Sequence, residues 1–169
     1  MLWYTCQAVC KIYAALVTEA AIRQYYADSA RVFNKPYEDY IAFIQNTMSD
    51  AYTASMTATA TMEGQPPVNN SQTQTKQNLL EGAHDAYYAM QGGRVDYKIN
   101  SIEISPEGGT ATVDNESGVY NMKMSPPGAE KALMMDGTGS CKDHFVLGAQ
   151  GNLQILTSSC DFKYNVKTQ

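Results

Sequence analysis

Two acidic residues each stand beside a histidine, and these pairs are the candidates for proton-transfer chemistry: His84 with Asp85, and Asp143 with His144. Neighbouring side chains do not face each other in a helix, and they point to opposite faces of a strand. Neither carboxylate can therefore orient the histidine next to it. His84 and Asp143 are separate candidates for a general base, a role that usually needs a second group to stabilise the developing charge. The alternative interpretation of both is structural: a surface or half-buried histidine and an exposed strand carboxylate.

Cys141 and Cys160 lie on the two arms of a predicted β-hairpin. Its turn is centred on Gln150–Gly151, in a segment rich in glycine, which favours a tight reversal. This centre sets Cys141 opposite Cys160 and Phe145 opposite Leu156. Cysteines directly opposite each other on antiparallel strands have the short Cβ separation that a disulfide needs. The sequence therefore predicts a Cys141–Cys160 disulfide, which indicates an oxidising compartment such as the periplasm or the secreted fraction.

The same register places Asp143 on one strand face with Cys141, Phe145 and Phe162. If this face lines a cavity, apolar surroundings raise the pKa of Asp143, which suits a proton-transfer base. Two further cysteines, at positions 6 and 10, are interpreted as packing residues or thiols of an N-terminal segment. No cluster of histidine and cysteine has the spacing of zinc ligands, so we expect neither a metal nor a cofactor.

Composition restricts the classes of partner. The 169 residues carry a net charge of −5, and lysine and arginine are not clustered, so a nucleic-acid partner is not expected. No window of 18 apolar residues occurs, so no membrane-spanning segment is expected in this chain. Residues 1–16 are interpreted as an export-signal remnant or as the start of the first helix, and residues 17–169 as a single domain.

Apolar residues recur at helical spacing over residues 4–33, 36–52 and 75–90, which predicts three helices. Residues 54–62 alternate as in a short strand, and residues 64–74 read as a polar loop. The chain contains 12 tyrosines, and tyrosine suits cavity walls because it has an apolar body and a polar tip. We expect four side chains on the inward helix faces to bind a ligand: Tyr25, Tyr40, Met48 and Tyr87.

After residue 93 the pattern is strand and turn. Alternating apolar residues slip by one position at Asn100–Ser101, which predicts a β-bulge that curves the sheet. The next turn pairs Ile104 with Ala111 and Ile102 with Val113. Helices followed by an antiparallel meander indicate an α+β fold, with three N-terminal helices packed on a strongly curved antiparallel sheet and a pocket between them.

This order of elements resembles the nuclear-transport-factor-2-like superfamily, a cone-shaped, cystatin-like fold that also occurs in steroid isomerases and polyketide cyclases. The resemblance rests on the tyrosine-rich first helix and on the segments Thr57–Gly64, Asn78–Tyr88 and Val95–Val113. It implies a pocket between the curved sheet and its helices. In enzymes of the family an acid or base lies there, whereas many bacterial members have no known reaction.

These observations favour an exported, non-enzymatic protein that holds a small apolar molecule or a protein partner in or over the pocket. One alternative is a lyase or isomerase that uses a buried carboxylate or His84 as general base. Another is an accessory subunit of an envelope assembly that forms a homodimer through the sheet. The enzyme alternative needs a buried acid or base with a shifted pKa that faces an open cavity, and it would be favoured if Asp143 and His84 both pointed into one cavity. The subunit alternative predicts a large apolar patch outside the sheet.

Overall fold

The first helix of the computed structural model, which describes residues 15–125 and 131–168, is α1 (Glu19–Ser29). Thr18 caps it: the Thr18 Oγ1 accepts a hydrogen bond from the backbone N–H of Ala21 at 3.1 Å. Ile22 and Tyr26, one turn apart, form its buried face. The sequence predicts a helix over residues 4–33, whereas in the described part of the chain the helix covers only Glu19–Ser29. The part of that prediction before residue 15, including both N-terminal cysteines, lies outside the described residues.

A 3₁₀ turn (Val32–Asn34) leads to α2 (Tyr37–Thr47). The prediction that this helix continues to residue 52 is wrong, because strand β1 begins at Met48. The end of α2 is stabilised from elsewhere in the chain: Lys76 Nζ donates to the carbonyl oxygens of Gln45 and Met48 at 3.1 and 2.9 Å. The last carbonyl groups of a helix have no N–H partner within the helix, so they need hydrogen-bond donors from outside it. Here the donor is the side chain of Lys76, from another part of the chain.

The predicted third helix is two short helices, α3 (Lys76–Glu81) and α4 (Ala83–Ala89), which meet at Gly82. Glycine is a poor helix former, and Gly82 ends one helix and begins the next. None of the described helices has the length and apolarity needed to cross a membrane.

In residues 15–125 and 131–168, seven strands form one open sheet in the order β2-β1-β7-β6-β5, with β3 and β4 both pairing along the remaining edge of β5. All neighbours are antiparallel except β1 and β7, which are parallel. The fold is therefore α+β with a mixed sheet, and the expectation of a wholly antiparallel sheet is wrong. The strands are β1 (Met48–Met62), β2 (Val68–Thr75), β3 (Met90–Gln91), β4 (Arg94–Ile104), β5 (Thr110–Met124), β6 (Leu133–Leu147) and β7 (Leu153–Thr168).

The segment predicted to be a polar loop contains strand β2, so that prediction is wrong. β2 pairs with β1 in an antiparallel hairpin, from Thr53 opposite Thr75 to Ala60 opposite Val68. Its residues are mostly exposed, because β2 is an edge strand. A strand that buries little surface does not need the apolar alternation by which strands are recognised.

Two register predictions have different outcomes. The pairing of β4 with β5 is confirmed, with Ile104 opposite Ala111 and the register shift at Asn100. In the β6–β7 hairpin, Cys141 lies opposite Cys160 as predicted, but Phe145 lies opposite Ile155 and not opposite Leu156. The register shifts between His144 and Phe145, because a bulge places one extra residue in β7.

The helices pack on one face of the sheet, here called the inner face. One buried cluster joins α1 to this face through Ile22, Tyr26, Val113 and Phe145. A second cluster joins α2 to α4 and includes Tyr40, Ile44 and Ala83.

Candidate functional site

A cavity of about 340 Å³ lies between the helices and the inner face of the sheet. Its wall combines aliphatic, methionine and aromatic side chains with a few polar groups, which is the usual composition of a small-molecule site. Three of the four predicted ligand-binding residues contribute to this wall. The residues that line the cavity include Tyr25, Tyr26, Tyr40, Met48, Asn115, Ser117, Val119, Cys141, Asp143, Ser158, Cys160 and Phe162.

Asp143 is the centre of the polar groups and is only 5% exposed. Its Oδ2 accepts hydrogen bonds from the Tyr26 hydroxyl at 2.6 Å and from Asn115 Nδ2 at 2.8 Å. Its Oδ1 accepts from the Ser158 hydroxyl at 2.6 Å. Asn115 Nδ2 also donates to the Tyr26 hydroxyl oxygen at 3.0 Å. The carboxyl group is thus held by three side chains, and we call these four residues the Asp143 cluster.

Three neighbouring strands and one helix bring the Asp143 cluster together. Asp143 on β6 pairs with Ser158 on β7, and on its other side with Val113 on β5. Asn115 lies two residues further along β5, on the same face of the sheet. Tyr26 reaches the cluster from the buried face of α1. Side chains on the same face of adjacent strands are direct neighbours, so the pairing register places these groups within hydrogen-bond distance.

Burial raises the pKa of Asp143, because desolvation disfavours the carboxylate. The hydrogen bonds from Ser158, Tyr26 and Asn115 act in the opposite direction and offset part of this effect. Burial also raises the pKa of Tyr26, and the nearby Asp143 raises it further. The Tyr26 hydroxyl therefore keeps its proton and donates it to the hydrogen bond with Asp143.

Two buried polar atoms in the described residues have no hydrogen-bond partner: Asn115 Oδ1 and Ser117 Oγ. Both residues belong to β5 and both line the cavity. Buried polar atoms are nearly always paired, because leaving one unpaired costs roughly 1–3 kcal/mol. Asn115 Oδ1 and Ser117 Oγ are therefore exceptions to this rule, and both belong to residues of the cavity wall.

The disulfide between Cys141 and Cys160 is present, as predicted. It lines the cavity next to the Asp143–Ser158 pair. The two sulfur atoms and a carboxylate oxygen of Asp143 lie within 4.8 Å of one another, which is the spacing of a metal site. In the disulfide form the sulfurs are bonded to each other and are not thiolate ligands, so this group holds no metal in that form.

The four predicted ligand-binding residues fall into two groups. Tyr25, Tyr40 and Met48 line the cavity. Tyr87 packs in the second cluster beside Tyr40, and its hydroxyl donates to the Lys35 carbonyl oxygen at 2.6 Å.

The two candidate bases are separated. The His84 side chain is 69% exposed and contacts Asp85 and the rings of Tyr37 and Tyr88. Asp143 is buried and lines the cavity, so the interpretation of this residue as an exposed strand carboxylate is wrong. The structure does not bring the two candidate bases into one cavity.

Sequence reasoning missed Asn115, Ser117 and Ser158 as cavity residues. The available signal was their position on faces that also carry apolar residues: Ala111 and Val113 precede Asn115 at two-residue steps on β5. Polar residues on a face that is otherwise apolar are candidates for a buried polar cluster.

Neither a family model nor a curated protein matches the sequence. Solved structures do match. A conserved protein from Planctomyces limnophilus has a TM-score of 0.56 at 13% identity, over 85% of this chain and 94% of its own. A nuclear-transport-factor-2-like protein from Cytophaga hutchinsonii has a TM-score of 0.52 at 12% identity, over 86% and 98%. A protein from Kribbella flavida has a TM-score of 0.53 at 11% identity, over 85% and 88%.

At sequence identities this low, the structural similarity supports the fold alone and gives no information about a ligand or a reaction. The matches span most of both chains. The resemblance inferred from the sequence is confirmed at this level: the chain has the nuclear-transport-factor-2-like fold.

Proposed function

We propose that this chain is an exported protein that binds a small, largely apolar molecule in the cavity and performs no reaction on it. The observation that carries the proposal is the cavity itself: about 340 Å³, with an apolar and aromatic wall and polar groups gathered around Asp143. Pockets of this kind gain affinity from the apolar wall and fix the orientation of the ligand with a few polar groups.

The state of Asp143 favours binding over catalysis. A general base must have a lone pair directed at a substrate proton, with a second group that stabilises the developing charge. Three of the four lone pairs on the Asp143 oxygens already accept hydrogen bonds, two on Oδ2 from Tyr26 and Asn115 and one on Oδ1 from Ser158. A single lone pair, on Oδ1, is left for a substrate proton. The other candidate base, His84, lies on the exposed side of α4 and is no partner for this carboxyl group.

A second candidate function is an isomerase or lyase that uses Asp143 alone. Burial raises the pKa of Asp143 towards the range of a working base, and the Tyr26 hydroxyl 2.6 Å away is a donor for a developing oxyanion. In such a mechanism Asp143 removes a proton next to a substrate carbonyl, while Tyr26 turns its hydrogen bond towards the carbonyl oxygen.

Binding is tested by titrating the protein with 2-methylnaphthalene and 2-naphthol, followed by calorimetry. Val119→Trp places a large ring at the cavity wall and is expected to weaken binding at least about tenfold by occupying the volume. The matched control is Val68→Trp, because Val68 is an exposed valine on the edge strand β2. This control should bind like the wild type.

Two results would contradict the proposal. If the wild type binds neither compound, the cavity is not a site for small apolar molecules. The alternative that the chain binds a protein partner is then favoured. If both tryptophan variants bind like the wild type, binding occurs outside the cavity.

The enzyme alternative has its own assay. The wild type and Asp143→Asn are incubated with a β,γ-unsaturated cyclic ketone, and the conjugated product is followed by its ultraviolet absorbance. We expect no turnover by either protein. Turnover by the wild type that falls about a hundredfold or more in Asp143→Asn would establish Asp143 as a base and overturn the binding-only proposal.

Export is supported by the Cys141–Cys160 disulfide, because structural disulfides persist in oxidising compartments. Mass spectrometry without reductant, on protein isolated from its native compartment, should find the two cysteines joined. Free thiols at both positions would contradict export.

The accessory-subunit alternative has less support. The outer face of the sheet is polar along its central strands, where Thr138, Ser140 and Lys142 of β6 lie beside Asp161 and Lys163 of β7. A homodimer formed through the sheet would need an apolar patch there. We expect a monomer in sedimentation experiments, and a stable dimer would favour the accessory-subunit alternative over the binding proposal.

A further inference from the structure

The two unpaired atoms of β5 define a polar position in the cavity wall. Asn115 is 1% exposed and Ser117 is 7% exposed, and neither Asn115 Oδ1 nor Ser117 Oγ has a partner within the described chain. The residues are two apart on one strand, so their Cα atoms are roughly 7 Å apart on the same face. One ligand oxygen can hydrogen-bond to both side chains when Asn115 Oδ1 and Ser117 Oγ lie within about 5.6 Å of each other, which is two hydrogen-bond lengths.

The hydrogen bonds of the Asp143 cluster fix the orientation of the Asn115 amide. Its Nδ2 donates to Asp143 Oδ2 and to the Tyr26 hydroxyl oxygen. A flipped amide would place Oδ1 against the carboxyl oxygen, two acceptors facing each other. The unpaired atom of Asn115 is therefore an oxygen, which only accepts hydrogen bonds.

The chemistry of these atoms selects the ligand group. Asn115 Oδ1 needs a donor, whereas the Ser117 hydroxyl can donate or accept. A ketone or an ether accepts only, so it leaves Asn115 Oδ1 unpaired. A hydroxyl group donates to Asn115 Oδ1 with its hydrogen and accepts from Ser117 with a lone pair.

Charged groups fit the cavity less well. Among the described residues, those that line it include no lysine, arginine or histidine, so a ligand anion would be buried there without a cation. A ligand cation would need the Asp143 carboxyl group, whose oxygens already accept three hydrogen bonds. The ligand group at Asn115 and Ser117 is therefore neutral.

We infer that the ligand is a neutral alcohol or phenol whose hydroxyl group hydrogen-bonds to Asn115 Oδ1 and Ser117 Oγ. This inference rests on the proposed function, since it specifies the ligand class of the same cavity. The hydroxyl restores partners to two buried atoms, and the apolar body of the ligand contacts the aromatic wall.

The test compares 2-naphthol with 2-methylnaphthalene, in which a methyl group replaces the hydroxyl. Dissociation constants for both are measured by calorimetry with the wild type, Ser117→Ala and Ser140→Ala. The preference for 2-naphthol over 2-methylnaphthalene should fall about five- to tenfold in Ser117→Ala, the effect of one hydrogen bond. It should not change in Ser140→Ala, because Ser140 is an exposed serine on the outer face of β6.

Ser117→Ala removes an unpaired buried hydroxyl group, so this variant should fold at least as stably as the wild type. A second measurement needs no variant: in a crystal structure of the wild type with 2-naphthol, the hydroxyl oxygen should lie within about 3.2 Å of Asn115 Oδ1.

The outcomes separate this inference from the proposed function. If both compounds bind in the cavity and Ser117→Ala leaves the preference unchanged, the inference fails while cavity binding stands. A naphthol hydroxyl bound elsewhere in the cavity also overturns the inference alone. If neither compound binds the wild type, the inference and the proposed function fail together.

Discussion

Replacing Asp143 with asparagine tests the electrostatics of the cavity. Asparagine has nearly the same shape as aspartate, its oxygen can accept from Tyr26 and Asn115, and its amide can donate to the Ser158 oxygen. The substitution therefore keeps the hydrogen-bonded cluster in place but removes a titratable group. What changes is how stability depends on pH.

The sign follows from the direction of the pKa shift. Burial raises the pKa of Asp143 in the folded protein above its ordinary value of 3.8. Between these two pKa values the folded state binds more protons than the unfolded state, so the free energy of unfolding falls as the pH rises. Relative to wild type, Asp143→Asn should gain stability from about pH 4 upwards until the raised pKa is passed, and then keep a constant advantage. The gain is about 1.4 kcal/mol for each unit by which the pKa is raised.

The assay is urea unfolding of both proteins at pH steps from about 4 to 8, with the difference in free energy of unfolding plotted against pH. Groups common to both proteins cancel in this difference. Asp161→Asn is the matched control, because Asp161 is an exposed carboxylate on neighbouring strand β7. A difference that stays flat, or that turns in favour of wild type as the pH rises, would refute the reasoning. Either result would mean that the three hydrogen bonds lower the pKa of Asp143 at least as much as desolvation raises it.

Two further predictions concern the sheet. The Cys141→Ser/Cys160→Ser double variant should lose about 3 kcal/mol of unfolding free energy in urea, because the disulfide closes a loop of 19 residues; unchanged stability would contradict this. Gly139→Ala should lose about 1–3 kcal/mol, since its Cβ would overlap the Phe162 ring, and Phe162→Leu should recover part of the loss. Gly109→Ala is the control, because its Cβ would meet only Glu107 Cγ at 3.9 Å, an ordinary van der Waals contact, and an equal loss there would refute the packing argument.

The disulfide could be predicted from sequence although the hairpin centre could not. The loop is closed by Gly148 and Asn152, with Gly151 at a φ of +76°, so its centre lies half a residue before the predicted one. The bulge in β7 then restores the predicted register before the strands reach Cys141 and Cys160. Two deviations of opposite sign cancel at the cysteines. Local turn rules do not reveal a bulge, because the packing of the inner face determines its position.

The Asp143 cluster could be predicted only in part. The alternation of β6 shows which residues share a face with Asp143, but not whether that face is turned inwards. The partners Tyr26, Asn115 and Ser158 lie on three other elements, up to 117 residues away in sequence. Their convergence depends on the pairing of β5, β6 and β7 and on the docking of α1. A single sequence does not encode this in any local pattern.

The position of β7 between β1 and β6 has a consequence for folding during synthesis. Thr57 on β1 contacts Asp161 on β7, its partner 104 residues further along the chain. When a ribosome has released the helices and the first six strands, the hairpin of β1 and β2 has no sheet to join. Contacts this distant in sequence form slowly, and unpaired strand edges stay open to other chains in the meantime. The nascent polypeptide therefore remains incompletely folded until β7 emerges, because only β7 joins the hairpin of β1 and β2 to the rest of the described sheet.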